Sequence, residues 1–96
     1  MVGYTYILTN RNNTTLYVGA SADLKERSFI HKTKLNPRSF VSRYNLVKLI
    51  YYEIHEDLDT AFFREKQIKN LVRRKKNKLI NSFNPNWKDL YEEIIK

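Results

Sequence analysis

The chain has 96 residues, with 18 Lys+Arg against 10 Asp+Glu, a formal charge of +8 and a pI of about 9.8. That length accommodates one domain with one modest core, and the absence of cysteine excludes disulfide scaffolds, thiolate zinc sites, iron–sulfur clusters and cysteine nucleophiles. The basic balance selects anionic partners, nucleic acid first and an anionic membrane surface second, while 14% aromatic residues are too many for a disordered basic tail.

No apolar run approaches the roughly 20 residues of a membrane span. Met1 to Ile7 show no basic segment followed by an apolar one, so no signal peptide is expected and the domain reads as soluble and cytoplasmic. Residues 3–9 are β-branched and aromatic and predict a strand. Thr9 to Thr14 is an Asn-rich turn, and residues 15–20 predict a second strand, paired with the first as an antiparallel hairpin. Ser21 is placed to cap a helix over 22–32, with Asp23 in its first turn. Residues 33–45 carry Asn36, Pro37, Ser39 and Ser42 and read as a loop or a broken short helix. Residues 46–54 are the strongest strand signal, and their near-continuous apolar character predicts the central strand of a sheet covered on both faces. Asp59 is placed to cap a long helix over 60–78, which residues 79–85 end. Asn86, with Asp89 three residues on, predicts a capped final helix over 87–95. The expectation is one small α/β domain over 1–96, a three-stranded, mainly antiparallel sheet flanked by helices in the order β-β-α-β-α-α.

Two helical features depart from ordinary patterning. On a wheel at about 100° per residue, Ala61, Phe62, Ile68 and Val72 all fall within roughly 60° of Glu65. This carboxylate therefore stands in an apolar stripe. An unpaired buried carboxylate costs several kcal/mol, so Glu65 needs a partner, either the cation of a structural ion pair or a hard metal ion such as Mg²⁺. Arg27 and His31, four apart, share a helix face. They are either two surface cations or an anion site, with Arg as a planar fork for phosphate and His as a donor or proton shuttle. Residues 64–78 hold eight Lys and Arg, among them Lys69, Arg73, Arg74, Lys75 and Lys76, against the single acid Glu65. So much charge on one element favours a polyanion-binding surface over a merely solvated face. Tyr6 and Tyr17 lie on the two hairpin strands; taken alone they read as packing residues with a wet hydroxyl.

Taken in order, Tyr4-Thr5-Tyr6, Tyr17-Val18-Gly19, Arg27 and His31, Arg64-Glu65-Lys66-Gln67-Ile68-Lys69 and Asn84-Pro85-Asn86-Trp87 resemble the motifs of the GIY-YIG nuclease family. The likeness is to small stand-alone bacterial-type members, similar to the N-terminal nuclease domain of the UvrC excision-repair subunit, and it spans almost the whole chain. It departs in the first motif, where only Tyr6 matches, and in the second, where Val18 replaces Ile. The resemblance implies a divalent-metal-dependent endonuclease that hydrolyses phosphodiester bonds in nucleic acid, DNA foremost, of a repair or recombination type. In that scheme Glu65 holds one Mg²⁺ or Mn²⁺ and Tyr6 or Tyr17 orients or deprotonates the water. Arg27 braces the phosphate, and His31 positions the water or relays its proton. A phenol titrates near 10, so nearby cations are expected to lower the tyrosine that acts as base. Gly19 lets the backbone pass close to the site. Asn84, preferred to Asn81 as the family asparagine, and the basic helix with Lys69 steady the substrate or the metal-bearing helix. Two other readings stand beside this one: a nucleic-acid-binding module without useful turnover, and a nuclease subunit that takes its specificity from a protein partner.

Overall fold

β1 (Gly3–Thr9) and β2 (Leu16–Ser21) form the expected hairpin, and β3 (Lys48–His55) runs antiparallel along the other side of β1, giving the order β2-β1-β3. The computed structural model describes residues 1–34 and 37–96. The hairpin turn closes on Asn10, whose side-chain oxygen accepts from the Thr14 and Thr15 amides at 2.8 and 3.3 Å. Asn13 takes the left-handed backbone, φ 59°, that Asn tolerates.

Alternation along β1 feeds two cores. Tyr6 and Leu8 point to one face, with Leu24, Val41, Leu46, Leu49 and Leu90. Ile7 points to the other, with Val18, Ile50, Tyr51, Ile68 and Ile80. β1 is thus the central strand, and the expectation that 46–54 would be central is corrected. β3 imitates a central strand for two local reasons. A register shift opposite Ile7 and Leu8 brings Ile50 and Tyr51 together into the second core. Its outer edge is also closed locally, because the Leu90 amide donates to the Leu49 carbonyl at 2.7 Å and the Asn84 amide to that of Ile50 at 3.1 Å.

α1 (Leu24–Thr33) begins later than expected, because Asp23 rather than Ser21 caps it and accepts from the Glu26 amide at 2.9 Å. Ser21 instead ends β2, where its hydroxyl accepts from the Asp23 amide at 3.0 Å. Within 33–45 a short helix forms, α2 (Phe40–Arg43), capped by Ser39; residues 35–36 of that expected loop lie outside the described residues. The single helix expected over 60–78 is two, α3 (Leu58–Lys69) and α4 (Arg73–Phe83). Asp57, not Asp59, caps α3, accepting from the Thr60 amide at 2.7 Å. Val72 is extended between the helices and 59% exposed, so it does not extend the stripe around Glu65. The final helix shrinks to α5 (Tyr91–Ile94). Trp87 turns left-handed at φ 52°, and Asp89 gives its carboxylate to the Leu49 and Tyr91 amides and to Lys32 instead of to a capping box.

The result is the expected α/β class, an open three-stranded antiparallel sheet with α1, α2 and α5 packed on one face and α3 and α4 on the other. Among the described residues no helix is long and apolar enough to cross a membrane.

Candidate active site

Tyr6 stands in the middle of β1 and Tyr17 near the start of β2, both on the face that α1 covers. The register sets Tyr6 opposite Gly19 and Leu8 opposite Tyr17. The two phenols are therefore diagonal neighbours, with ring centroids 6.4 Å apart. The bare position opposite Tyr6 makes this possible. A Cβ on Gly19 would stand 2.6 Å from the Tyr6 Cζ and hydroxyl and 2.9 Å from Tyr17 Cε2. His31 comes down from α1 and closes the triangle, 6.2 Å from each tyrosine ring, with Nε2 3.4 Å from the Tyr6 hydroxyl. Arg27, one turn earlier, lines with Tyr17, His31 and Phe40 a cavity of about 200 Å³.

Burial dominates the electrostatics. It pushes the Tyr6 phenol well above its ordinary value; the neighbouring Tyr17 and Glu65 push the same way, and Arg27 pulls against them. The expectation of a tyrosine lowered by cations is corrected: the one nearby guanidinium loses to desolvation. Burial, and then the positive Arg27, push His31 down to about 4. At neutral pH the site at rest holds a neutral phenol beside a neutral imidazole with one bare ring nitrogen.

Glu65 reaches the site from α3. Its side chain is 16% exposed and pairs with Lys69 Nζ at 3.2 Å, one turn on. Ala61 and Ile68 beside it are fully buried, whereas Phe62 and Val72 are exposed, so the carboxylate sits at the open margin of a narrow stripe. Its charge acts on the Tyr6 hydroxyl. Tyr6, Tyr17, Arg27 and His31 thus gather from three elements, and the charge of Glu65 reaches Tyr6 from a fourth. Among the described residues no three His, Cys, Asp or Glu gather into a ready-made cage for a metal ion. A lone carboxylate suits a hard cation that keeps most of its waters and completes its shell on phosphate oxygens. Glu65 fits such an ion in company with an anionic substrate.

The basic residues divide. Arg73 donates to the Asn13 and Thr14 carbonyls at 2.7 and 3.0 Å and ties α4 to the hairpin turn. Arg74 and Lys75 are exposed and Lys76 is half-buried. Arg73, Arg74 and Lys78 border an open cleft on α4. Asn84 departs from the expected nucleic-acid contact. It is 4% exposed, and its amide donates to the Ile50 and Lys88 carbonyls and accepts from the Lys88 amide. With every polar atom spent on backbone, it straps the C-terminal segment to β3 and has nothing left for a phosphate. Asn81 is exposed and accepts from Trp87 Nε1.

Two groups escaped sequence reasoning. Phe40 lines the cavity, and its only signal was an aromatic just after a capping serine in a Pro/Ser loop. On the opposite face, Tyr51, Glu53 and His55 alternate along β3 and meet Arg64, whose Nε donates to both Glu53 oxygens at 3.0 and 3.1 Å. Burial, helped by Glu53, pushes Tyr51 up to about 12. Burial works to raise Glu53 too, but hydrogen bonds from Arg64 and Tyr51 outweigh it and hold the carboxyl low. Arg64 is therefore committed to the fold, although it adjoins Glu65 in the sequence.

The family described as GIY-YIG catalytic domain matches residues 2–79. Among solved structures, the solution NMR structure of a UPF0213 protein from Bacillus halodurans has the same fold, with a TM-score of 0.58 and 22% sequence identity over 93% of each chain. A search of curated proteins finds no match.

Proposed function

From a chain that belongs to the GIY-YIG catalytic domain family, we infer a divalent-metal-dependent endonuclease that hydrolyses phosphodiester bonds in nucleic acid, DNA foremost. The observation that carries this reading is the Tyr6 hydroxyl 3.4 Å from His31 Nε2, where His31 also lines a cavity bordered by Arg27 and Tyr6 lies within the field of Glu65. Hydrolysis needs a positioned water, a base for its proton and positive charge at the phosphate, and this set supplies the parts.

Arg27 grips a non-bridging phosphate oxygen with its planar fork. Its charge helps to depress His31, so a phosphate seated on Arg27 offsets that effect and makes the imidazole a better base once substrate is in place. The Tyr6 hydroxyl then passes its proton to His31 Nε2 while taking one from the attacking water. Both partners are neutral at rest, so the relay needs no prior ionisation of the phenol. The 3.4 Å contact is loose, as catalytic hydrogen bonds often are before substrate tightens them. Tyr17 walls the water's position, and Lys69 holds the Glu65 carboxylate in place at rest. Glu65 is the residue that would hold Mg²⁺ or Mn²⁺, and the bound ion supplies Lewis-acid stabilisation of the phosphate and of the departing oxygen. Arg74 and Lys75 on α4 attract the phosphate backbone without reading sequence.

A second reading rests on one observation. The Glu65–Lys69 pair neutralises the metal-binding carboxylate internally, which suits a nucleic-acid-binding module or a subunit activated by a protein partner. A repair or recombination role rests on the likeness of the motifs alone. The deciding experiment incubates the purified protein with labelled single-stranded, duplex and branched DNA, and with RNA, in Mg²⁺, Mn²⁺ or EDTA. Cleavage that EDTA abolishes is the expected result. Binding without cleavage on every substrate would overturn the nuclease reading and leave the module.

A further inference from the structure

Beside the cavity, α2 turns two aromatic rings to solvent. Val41 and Ser42 anchor this short helix in the core at 3% and 8% exposure, which leaves positions 40, 43 and 44 outside. Phe40 and Tyr44 are 49% and 50% exposed, with ring centroids 4.5 Å apart. Phe40 in turn lies 6.3 Å from the Tyr17 ring. A line of aromatic faces therefore runs from the Tyr6–Tyr17–His31 cluster out to the surface. Tyr44 then borders a groove of about 590 Å³ with Arg11, Lys32, Lys34 and Asn45. Among the described residues no carboxylate lines either this groove or the cavity. Lys32 is paired with Asp89, so Arg11 and Lys34 carry the groove's positive charge.

Leaving an aromatic side chain half in water forgoes part of the stabilisation that full burial would bring. The core does not ask for these rings, since Val41 already seats α2. We propose that Phe40 and Tyr44 are a stacking platform for unpaired bases, and that the groove beside Tyr44 carries the phosphates of the same strand. The favoured substrate then has an unpaired segment next to the scissile phosphate. Every base has a π face, and stacking on an aromatic side chain favours binding whatever the sequence. A duplex offers no such faces, because its bases already stack on one another. An acid-free groove with two cations fits a phosphate backbone and gives an apolar protein surface no reason to settle there. The cleavage part of this proposal rests on the nuclease reading; the binding part does not.

The test is fluorescence anisotropy with labelled oligothymidylate and with a blunt duplex, in EDTA, so that binding is read apart from cleavage. The proteins are wild type, Phe40→Ala/Tyr44→Ala, Phe40→Leu and Phe40→Trp. The double variant is expected to bind oligothymidylate about ten- to hundredfold more weakly, with duplex affinity within about twofold of wild type by the same stacking argument. Phe40→Leu keeps an apolar contact with Tyr17 and removes the π face, so it should lose single-strand affinity with an unchanged melting curve. Phe40→Trp should bind the single strand at least as tightly as wild type. Unchanged oligothymidylate binding in the double variant, or an equal loss on both ligands, would overturn the platform. Discrimination without cleavage in any metal would leave the platform standing and remove the nuclease reading. Metal-dependent cleavage with no effect of Phe40 and Tyr44 on single-strand binding would do the reverse.

Discussion

Replacing Gly19 by alanine isolates the packing that builds the site. No glycine among the described residues has a positive φ, so the backbone at 19 accepts a side chain. An alanine in a strand then gains about 0.5–1 kcal/mol over glycine through lost chain entropy. Against this, the new Cβ would lie 2.6 Å from the Tyr6 Cζ and hydroxyl and 2.9 Å from Tyr17 Cε2. Carbon atoms rest about 3.5–4.0 Å apart, so the rings must retreat by about 1 Å. Tyr6 is 2% exposed and walled by the first core, and cannot swing clear. Overpacking of this kind costs about 1–3 kcal/mol, and the clash wins. The net loss should be on the order of 1–2 kcal/mol, or about 4–16 °C in Tm for a domain of this size. Activity should fall further, about a hundredfold, because a phenol displaced by about 1 Å leaves His31. Calorimetry and a cleavage assay read the two effects. In a Tyr6→Leu background the same substitution should cost less, because the two nearest clashing atoms are gone and only the Tyr17 Cε2 contact remains. A Gly19→Ala protein that melts at or above wild type and cleaves normally would refute the reasoning.

His31 makes stability depend on pH. Its imidazole is held near 4 in the folded chain and titrates near 6.5 when unfolded, so the unfolded chain binds the extra proton between those values. Stability is fully present above about pH 6.5 and falls as pH drops toward about 4, by on the order of 2–3 kcal/mol. Urea titrations across this range should show that slope in wild type and a flatter one in His31→Gln; equal slopes would contradict the burial argument. Asn84→Ala leaves the buried Ile50 carbonyl and the Lys88 groups without partners, at a cost of about 2–4 kcal/mol. Nucleic-acid affinity of the folded fraction should not change, and a selective binding loss would return Asn84 to the interface. Arg74→Glu with Lys75→Glu should flatten the plot of log Kd against log salt by about 2 while Tm stays within about 1 °C. An unchanged slope would show that α4 faces something else.

The hairpin, α1 and the shared face of Arg27 and His31 were legible because local chemistry decides them: β-branched pairs, an Asn turn, a helix face at spacing four; Tyr6, Tyr17 and Glu65 were joined to them only by the likeness of the motifs. Three features were not. β3 reads as central because an offset register and backbone donors from Asn84 and Leu90 hide an edge. The break at Val72 is silent because Leu71 and Val72 continue the apolar spacing of α3 across a turn. Asp89 looked like part of a capping box, yet the strand amide of Leu49 and the ammonium of Lys32 compete for it and win. The site shows the same division. Spacing placed Arg27 with His31, but the sign of the Tyr6 shift depends on how deeply the ring is buried, which no local pattern carries.

The most direct test of the account is cleavage as a function of metal concentration for wild type, Glu65→Gln and Lys69→Met. An ion pair as open as Glu65–Lys69, with Lys69 half exposed, contributes about 0–1 kcal/mol, so all three proteins should fold alike. Glu65→Gln should lose metal-dependent cleavage entirely, and Lys69→Met, with the competing ammonium gone, should reach half-maximal cleavage at a lower Mg²⁺ concentration. Metal-dependent cleavage by Glu65→Gln at the wild-type rate would contradict the account.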